Sequence, residues 1–538
     1  MENRSLQINP PGAPISLRAL LLLSLVAHLP AIWFARGYLF LDQQYQYIDP
    51  AWHLATGDMF YRTHEWTMGL RSWVYPGFLA GVFQLSRALG IEDAQMQLVV
   101  ARFVMALLFL IPLSAAWLLL VRWRPHPAAR PALLAFGVFF LAILCGSQPN
   151  GPNFASCLAV ASVLFFYGPG RLWPLVSGLC LGLAFCGRPQ DALLGPVLFV
   201  AGLLSRRKGA ALLFALGTVP GILLQGITDL YAWGHFLHSP FAYVKFNLFD
   251  GRNTGWGREP LWYYPAVVLG MLVWVPPFFK LTFRQLREGS RHLSLVLVAA
   301  IAYLAVHSIP AHKAARFVQP ALALIFLCAF LGFFHTRPDA GRGEIYASAG
   351  IQKAQRRTWA GVHLLAFLLA SFWVAARGPT QAGAALGRLP DFQERLLVVD
   401  GSRISVGGFF FLRRKQLEIV EAHREDWPAK ALALLQPPAP KREPKGDTHS
   451  SLPSKNTAKR DSHSSPRSKR AASPKGDTHP LYVLACRRPL ALDQLAPRVQ
   501  ARLVGAFHDP FNLKKRNRRW IYRLQLSATG ASPRDASK

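Results

Sequence analysis

The chain has 538 residues, of which 52% are hydrophobic and 16% are charged, and many of its apolar runs approach the length that crosses a membrane. This composition predicts an α-helical polytopic membrane protein, because a soluble chain of this length would show amphipathic helices or alternating strands instead. The formal net charge of +32 is concentrated in loops between the apolar runs and in the C-terminal third, which is typical of membrane orientation and of attraction to anionic membrane lipid.

The same composition argues against nucleic-acid and metal chemistry. No aromatic-studded basic domain that could read bases accompanies the positive charge, so we expect no nucleic-acid partner. Five of the six cysteines lie in or at apolar runs, and Cys486 lies in the C-terminal tail. This placement offers neither a disulfide framework nor metal-type Cys/His spacing, so we expect no metal. The sequence also shows no soluble α/β nucleotide-binding domain, and we expect no cofactor.

The apolar runs predict about 11 transmembrane helices. The first run follows Arg18 and ends near Ala35 without a small-x-small cleavage site, so we interpret it as an uncleaved span and not as a signal peptide. Residues 74–90 could form a re-entrant helix, a surface helix or a further span. The predicted spans lie near residues 17–36, 97–121, 131–147, 153–168, 173–187, 191–204, 209–232, 262–279, 292–308, 317–335 and 359–376.

The first loop, residues 37–96, is rich in aromatic residues and acids. Asp42, Asp49 and Glu65 lie among aromatic side chains at a point that follows the first apolar run. Carboxylates are costly to keep beside a membrane, so their presence here indicates chemistry.

Four polar or aromatic residues of this loop have helical spacing. Asp42, Tyr45, Gln46 and Asp49 follow one another at i, i+3, i+4 and i+7, which predicts one face of a helix that lies on the membrane surface and faces a cavity. A simpler interpretation is also open. Asp49 and the proline after it match a helix N-cap followed by proline at the first position, with the short helix ending at Gly57. Asp42 could be a cap in the same way.

Orientation follows from the distribution of Lys and Arg. With 11 spans, four positively charged loops fall on the side of the N-terminus, which is therefore predicted to be cytoplasmic. The segments that carry motifs then all fall on the other side, as does the tail from residue 377. These segments are 37–96, 187–191, 233–261 and 309–316.

The sequence divides into a membrane part and a tail. Residues 1–376 form the predicted transmembrane catalytic domain, and residues 377–435 and 480–538 form a small extracytoplasmic α/β or α+β domain with short strand-like runs. Between them, residues 436–479 are basic and rich in proline and serine, with P-K-G-D-T-H present twice. Such sequence cannot bury a core, so we predict a disordered insertion.

Two turns on the non-cytoplasmic side carry positive charge. In C-G-R-P-Q-D-A, Arg188 either snorkels from a span end or binds a lipid phosphate, because guanidinium matches phosphate oxygens bidentately. In A-H-K-A-A-R-F-V-Q-P, His312, Lys313 and Arg316 place three potential cations at a membrane entry. A topogenic cluster would be the ordinary explanation, but these residues lie on the side that the positive-inside rule leaves poor in charge.

The second long loop of that side mixes aromatic residues with Asn247, Asn253 and Gly257. Aromatic rings and amide side chains together are suited to stacking sugars and bonding their hydroxyls. The same rings could equally form an interfacial belt.

These segments resemble glycosyltransferase family 22, the polyprenyl-phosphate-sugar-dependent mannosyltransferases that build N-glycan precursors and GPI anchors. The family carries H-P-D-E-x-F-Q-x-x-E-x-A-H, then T-x-E-W and R-S-x-x-Y-P in its first lumenal loop, and H-K-E-x-R-F-x-x-P further on. This chain matches the first three pieces at Asp42, Tyr45, Gln46, Asp49, Thr63, Glu65, Trp66, Arg71, Ser72, Tyr75 and Pro76, and the last at His312, Lys313, Arg316, Phe317 and Pro320. It departs at Phe40 and Leu41 in place of His-Pro, and at Gln43 and Ala314 in place of glutamates.

The resemblance implies the GT-C architecture and transfer of mannose from a polyprenyl-phosphate sugar donor, used as a substrate, to a glycan or glycolipid acceptor. For such a transfer we expect Asp42 to be the general base in an inverting displacement and Glu65 to be the second catalytic residue. Glu65 and Asp49 would orient sugar hydroxyls or the acceptor. The remaining candidates for substrate binding are Tyr45, Gln46, Asp49, Trp66, Arg71, Arg188, Asp191, Asn247, His312, Lys313 and Arg316.

Two alternatives stay open at this point. The lost family glutamates leave room for a GT-C transferase of another sugar in envelope assembly. A flippase of lipid-linked oligosaccharides would show polar residues within spans and internal repeats, and neither is clear in the sequence. The expected compartment is the inner membrane of a bacterium or the endoplasmic reticulum membrane of a eukaryote, with the active site on the non-cytoplasmic face.

Overall fold

The structure is a computed structural model. It describes residues 15–35, 37–38, 42–205, 207, 209–250, 254, 257–272, 279–335, 354, 357–358, 360–369, 371, 377–392, 395–402, 406, 408–436, 480–495, 499–507 and 518–526. The predicted insertion at 436–479 lies outside the described residues, apart from Gln436.

The first two thirds of the chain form a bundle of helices. Many are apolar on all sides, as expected for helices that pack in a bilayer and against each other. The helices are α1 (Leu17–Phe34), α2 (Asp49–Thr56), α3 (His64–Thr67), α4 (Val74–Ala88), α5 (Ala94–Trp117), α6 (Ala129–Val138), α7 (Phe140–Gly146), α8 (Gly151–Phe165), α9 (Leu172–Gly187), α10 (Leu194–Leu204), α11 (Ala210–Trp233), α12 (His238–Val244), α13 (Tyr263–Leu272), α14 (Phe279–His292), α15 (Ser294–His307), α16 (Gln319–Phe334) and α17 (Ala360–Leu369).

Every predicted span coincides at least in part with a helix, but the helices differ in length. Among the described residues, four are long and apolar enough to cross a membrane: Leu17–Phe34, Ala94–Trp123, Ala210–Trp233 and Ala315–Phe334. The number rises to six if the bent pairs α6–α7 and α14–α15 each count as one span. Others, such as the 15-residue α8, rise only about 22 Å, less than the hydrocarbon thickness of about 30 Å.

Residues 74–90 contain α4, which has 15 residues and is not among the four long apolar helices. One of its faces is buried, with Leu79, Val82 and Phe83 packed against α2 and α5. Because one face is buried and the other is exposed, α4 has the pattern of a helix that lies on the surface of the bundle.

Helices α9 and α11 pack so closely that side chains would not fit between them. A Cβ atom on Gly217 would lie 2.2 Å from the backbone oxygen of Leu175, and one on Gly221 would lie 2.1 Å from the carbonyl carbon of Gly182. Small residues at such crossings allow backbones to approach within a membrane bundle.

The tail contains the strands β1 (Arg395–Val399), β2 (Glu418–Ala422), β3 (Leu481–Cys486), β4 (Val499–Phe507) and β5 (Arg519–Leu526). They form one mixed sheet in the order β2-β1-β3-β5-β4. Strand β1 pairs in parallel with β2 and β3, whereas β3, β5 and β4 pair antiparallel. Strand β3 is buried along its whole length, which explains its continuous run L-Y-V-L-A-C. The helices of the tail are α18 (Arg377–Arg388), α19 (Phe409–Leu412) and α20 (Trp427–Leu435).

The tail packs on the first loop. Arg388 forms an ion pair of 2.5 Å with Asp93, and Arg413 donates to the side-chain oxygen of Gln97 at 2.8 Å. The backbone N–H of Met59 donates to a carbonyl of the segment that follows α19. These contacts hold the sheet and the first loop on the same end of the bundle.

Candidate active site

One cavity of about 520 Å³ collects the motif segments of the sequence. Its walls come from residues 42–47, 63–71, 150–152, 188–190, 243–247 and 312–317. All of these segments lie on the side that the Lys/Arg pattern predicts to be non-cytoplasmic. The alternation of spans therefore brings together residues that are far apart in the sequence, and we call this space the reaction cavity.

The floor of the reaction cavity is a π-helix, Gln43–Ile48, and not the regular α-helix that the i, i+3, i+4, i+7 spacing predicts. The N–H of Asp49 bonds to the carbonyl of Gln44, five residues back, which widens the turn. The widened turn sends Asp42, Tyr45 and Gln46 to the cavity, while the Asp49 carboxylate lies elsewhere. The short helix that ends at Gly57 is confirmed as α2, but the N-cap interpretation of Asp49 is wrong, because Asp49 is the first helical residue and Ile48 takes the cap position. Asp42 precedes the π-helix without a side-chain capping bond.

The Asp42 carboxylate lies at the cavity wall and is paired with Arg316. Oδ2 of Asp42 is 2.8 Å from Nη2 of Arg316, and the two side chains are 37% and 26% exposed. The Asp42 carboxylate therefore forms an ion pair with a cation and is still accessible to a substrate. A guanidinium has five donors, so Arg316 can hold this carboxylate and still bind a further anion.

Glu65 occupies another part of the cavity as the centre of a hydrogen-bonded group. Its Oε2 accepts from Nε of Arg71 at 2.7 Å and from the side-chain amide of Gln46. Arg71 also points its guanidinium at the Tyr47 hydroxyl. Glu65 is thus fixed in orientation by charge-assisted bonds, which suits a group that positions hydroxyls.

Arg188, His312 and Asn247 also line the cavity. Arg188 is 6% exposed, donates to the backbone carbonyl of Arg316 at 2.8 Å and lies over the Phe317 ring. Burial and the neighbouring Arg316 lower the pKa of His312, so its ring is neutral at pH 7 and offers hydrogen bonds instead of charge. The cluster predicted to hold three cations therefore supplies fewer to this cavity.

Four predicted site residues lie behind the cavity walls. Asp49 accepts from the backbone N–H groups of Phe409 and Phe410 at 3.0 and 2.9 Å. The ammonium of Lys313 donates to two backbone carbonyls of neighbouring loops. Asp191 is buried and accepts from a tyrosine hydroxyl.

Trp66 is the fourth, and it packs in an aromatic cluster. It is 1% exposed and its ring lies 4.2 Å from Trp73 and 6.4 Å from Trp233. Its role in the structure is to join the first loop to α11.

The structure adds lining residues that the sequence did not single out: Gln43, Tyr47, His64, Asn150, Gln190 and Tyr243. Gln43 had been noted only as a departure from the family pattern, yet it donates to Gln148 at 3.0 Å in the cavity wall. Asn150 is the N-cap of α8. The polar Q-P-N and R-P-Q turns between apolar runs carried the available signal for Asn150 and Gln190.

A second, mainly apolar cavity of about 330 Å³ adjoins the first. It lies between α5, α6–α7, α8, α13 and α16 and is lined by rings such as Phe109, Phe136 and Phe326. Arg316 lines both cavities. We call this space the apolar groove, and Arg316 marks the point where it meets the charged groups of the reaction cavity.

The chain is similar in sequence to GPI mannosyltransferases. It is 26% identical to GPI mannosyltransferase 3 of Drosophila melanogaster over 322 residues, which are 56% of this chain and 54% of that protein. It is 25% identical to GPI alpha-1,2-mannosyltransferase 3 of Homo sapiens over 303 residues, 54% of this chain and 53% of the relative. The chain thus spans about half the length of the curated relatives it matches.

The fold is similar to that of a solved membrane-protein structure. ArnT from Cupriavidus metallidurans, bound to undecaprenyl phosphate, superposes with a TM-score of 0.55 over 96% of this chain and 99% of that one, at 13% identity. This likeness shows a helical fold of the GT-C kind. The profile of the Alg9-like mannosyltransferase family matches residues 19–382, which include every wall of the reaction cavity. The resemblance found in the first loop is confirmed, and the chain belongs to the Alg9-like mannosyltransferase family.

Proposed function

We propose that this protein is a membrane mannosyltransferase that moves a mannosyl group from a polyprenyl-phosphate donor to a glycan or glycolipid acceptor. The observation that carries the proposal is the Asp42–Arg316 ion pair in a cavity that adjoins an apolar groove. A base, a phosphate-binding cation and a space for a lipid chain are the three parts that such a transfer needs. Membership of the family and the names of the relatives support mannose as the sugar and a glycolipid as the acceptor.

In the proposed mechanism, Asp42 removes the proton from the acceptor hydroxyl as the hydroxyl oxygen attacks the anomeric carbon of the donor. The bond from that carbon to the phosphate oxygen breaks, and polyprenyl phosphate leaves with the electron pair. Arg316 and Arg188 stabilise the charge that develops on the phosphate, so that no strong general acid is required. A single displacement with one base inverts the configuration at the anomeric carbon.

The lipid of the donor would lie in the apolar groove. Its phosphate would then meet Arg316, the residue that both cavities share. The undecaprenyl phosphate bound by the ArnT neighbour is a ligand of the same chemical kind and supports this assignment. We propose the same lipid-linked class of donor here.

The proposed topology has 11 spans and the reaction cavity on the non-cytoplasmic face. Arg124, Arg207 and His292, the last residue of α14, support it, because they lie at the opposite, positively charged end and bond to carbonyls or rings there. The gathering around one cavity of the four predicted external segments that carry motifs supports the same arrangement.

The test is sugar transfer in proteoliposomes. Wild-type protein, Asp42→Asn and the control Glu259→Gln, an exposed acid of an external loop, would receive radiolabelled polyprenyl-phosphate mannose and a mixed extract of lipid-linked and glycan acceptors. We expect transfer by the wild type and the control, and a loss of about 10²–10⁴-fold in Asp42→Asn with an unchanged unfolding temperature.

Other results would contradict the proposal in distinct ways. Equal transfer by wild type and Asp42→Asn would remove the assignment of the base. Transfer from a different polyprenyl-phosphate sugar alone would correct the sugar. Movement of the lipid headgroup across the bilayer without sugar transfer would indicate that the protein is a transporter and not an enzyme.

A further inference from the structure

A third cavity, of about 540 Å³, lies beside the reaction cavity. It is formed by the loop after α3 and by α12 with the turn that follows it, and its lining includes Phe236, Phe241, Ala242 and Lys245. Leu70 and Phe246 line both this cavity and the reaction cavity. We call it the side cavity, and these two residues are the partition between the two spaces.

The partition is held in place by buried hydrogen bonds. The Ser72 hydroxyl donates to Gln225 of α11 at 2.7 Å, and Gln225 in turn donates to Ser239 at the start of α12. Asp229 is fully buried and accepts from both the backbone N–H and the hydroxyl of Ser239. A buried carboxylate that orients a helix start makes the position of α12 relative to the first loop a defined feature.

The direction of the proposed displacement requires a second approach to Asp42. The donor's leaving group would sit at Arg316, on the wall that the reaction cavity shares with the apolar groove. An incoming hydroxyl attacks the anomeric carbon from the face away from that leaving group. The acceptor must therefore reach the reaction cavity from another wall, and the side cavity adjoins it at the wall made by Leu70 and Phe246.

The lining of the side cavity has the chemistry of a sugar site. Phe241 is 70% exposed and Phe236 is 46% exposed, so ring faces are available for the apolar faces of a pyranose. Lys245, Asp250 and two histidines supply groups that bond hydroxyls. We propose that the side cavity binds the sugar headgroup of the acceptor, an inference that rests on the proposed transfer reaction.

The experiment separates acceptor binding from the reaction itself. Wild-type protein, Phe241→Ala and Ala242→Trp would be assayed in proteoliposomes with radiolabelled polyprenyl-phosphate mannose and an octyl dimannoside as acceptor. Phe249→Ala is the matched control, because Phe249 is 80% exposed on the same segment and lies outside the cavity lining. A parallel reaction without acceptor measures slow release of free mannose from the donor.

We expect Phe241→Ala to raise the KM for the dimannoside about tenfold and Ala242→Trp to raise it at least as much, because one removes a stacking face and the other fills the space. The KM for the donor, the release of free mannose and the unfolding temperature should stay as in the wild type, and Phe249→Ala should change none of these quantities.

Three results would overturn the assignment. An unchanged acceptor KM in both cavity variants would remove the side cavity from the acceptor path. An equal rise of the acceptor KM in Phe249→Ala would indicate that the rings of Phe241 and Phe249 contact the membrane and not the acceptor. Release of mannose by the wild type without transfer to the dimannoside would exclude mannosides as the occupant. Neither release nor transfer would instead refute the proposed function itself.

Discussion

The guanidinium of Arg316 lies 2.8 Å from the carboxylate of Asp42 and also lines the apolar groove. It therefore touches the proposed base and the proposed phosphate site together. We predict that Arg316→Ala lowers kcat for mannosyl transfer by about 10²–10³-fold, as expected for loss of a donor that stabilises developing charge. The kcat of Arg316→Lys should fall between those of the wild type and Arg316→Ala, because an ammonium keeps the charge but lacks the planar arrangement of donors of a guanidinium. Transfer assays over a range of donor concentration would measure both, and an unaltered kcat in Arg316→Ala would contradict the role.

Lys313 offers a matched comparison, because it is three residues from Arg316 and equally cationic. Its ammonium donates at 2.8 and 2.7 Å to the carbonyls of Glu259 and Pro310, away from the cavity. We predict that Lys313→Met lowers stability by about 1–3 kcal/mol, because two carbonyls lose their donor, and leaves the donor KM unchanged. Thermal unfolding in detergent and transfer kinetics on the surviving protein would test this. A large rise in donor KM at normal stability would instead put Lys313 in the phosphate site.

Asp49 should make stability depend on pH. Burial raises the pKa of Asp49 to about 6, and its three hydrogen bonds offset only part of that effect. An acid with a raised pKa in the folded protein stabilises it at low pH, and this contribution is lost as the pH rises from about 4 through 6. We predict that the loss amounts to roughly 2–3 kcal/mol and appears as a lower unfolding temperature at pH 7 than at pH 5.

The variant Asp49→Asn should show a smaller difference between the two pH values, because its side chain does not titrate. It should also be less stable at both, since an amide has one acceptor oxygen for three donors and leaves a buried N–H unpaired. Glu92→Gln, at an exposed acid of the same loop, serves as control. The assignment fails if Asp49→Asn keeps the full pH dependence of the wild type.

Alanine substitutions at two glycines of the first loop distinguish the effect of backbone strain from that of close packing. Gly57 and Gly69 have φ of +76° and +67°, so alanine is strained at both by about 1 kcal/mol. A Cβ on Gly69 would lie 2.5 Å from Nε2 of His238, whereas one on Gly57 meets nothing within 4 Å. We predict that Gly69→Ala destabilises more than Gly57→Ala, and that it alone raises the acceptor KM, because it displaces the His238 ring, which lines the side cavity. Equal effects in thermal unfolding and kinetics would show that strain accounts for both.

The sequence was sufficient to predict which segments meet at the site, whereas it did not predict the local geometry of those segments. The Lys/Arg pattern and the alternation of spans put the segments around Asp42, Arg188 and Arg316 on one side, and the structure brings them to one cavity. The π-helix was not foreseen, and the Asp49 carboxylate that follows it bonds to a helix start 360 residues away. Periodicity within a short segment contains no information about such a partner.

Adjacent residues with similar chemistry were also separated by the structure. His312, Lys313 and Arg316 formed one cationic cluster in the sequence, yet the lysine turns to backbone carbonyls and the histidine is neutral. The number of membrane spans also depends on packing that the sequence does not reveal. Hydropathy detects apolar runs, but whether a run such as α8 crosses the membrane depends on the helices that surround it.

The bond from Asp49 to the start of α19 has a consequence for the order in which the protein is made. The first loop leaves the ribosome 360 residues before Phe409, so its buried carboxylate waits for its backbone partners until the tail has been translated. An unpaired buried carboxylate is costly, which opposes completion of the cavity floor in a nascent chain. A partly synthesised copy that lacks α19 would thus have an incomplete cavity floor, and the proposed transfer would begin only after residues 409–410 have been translated.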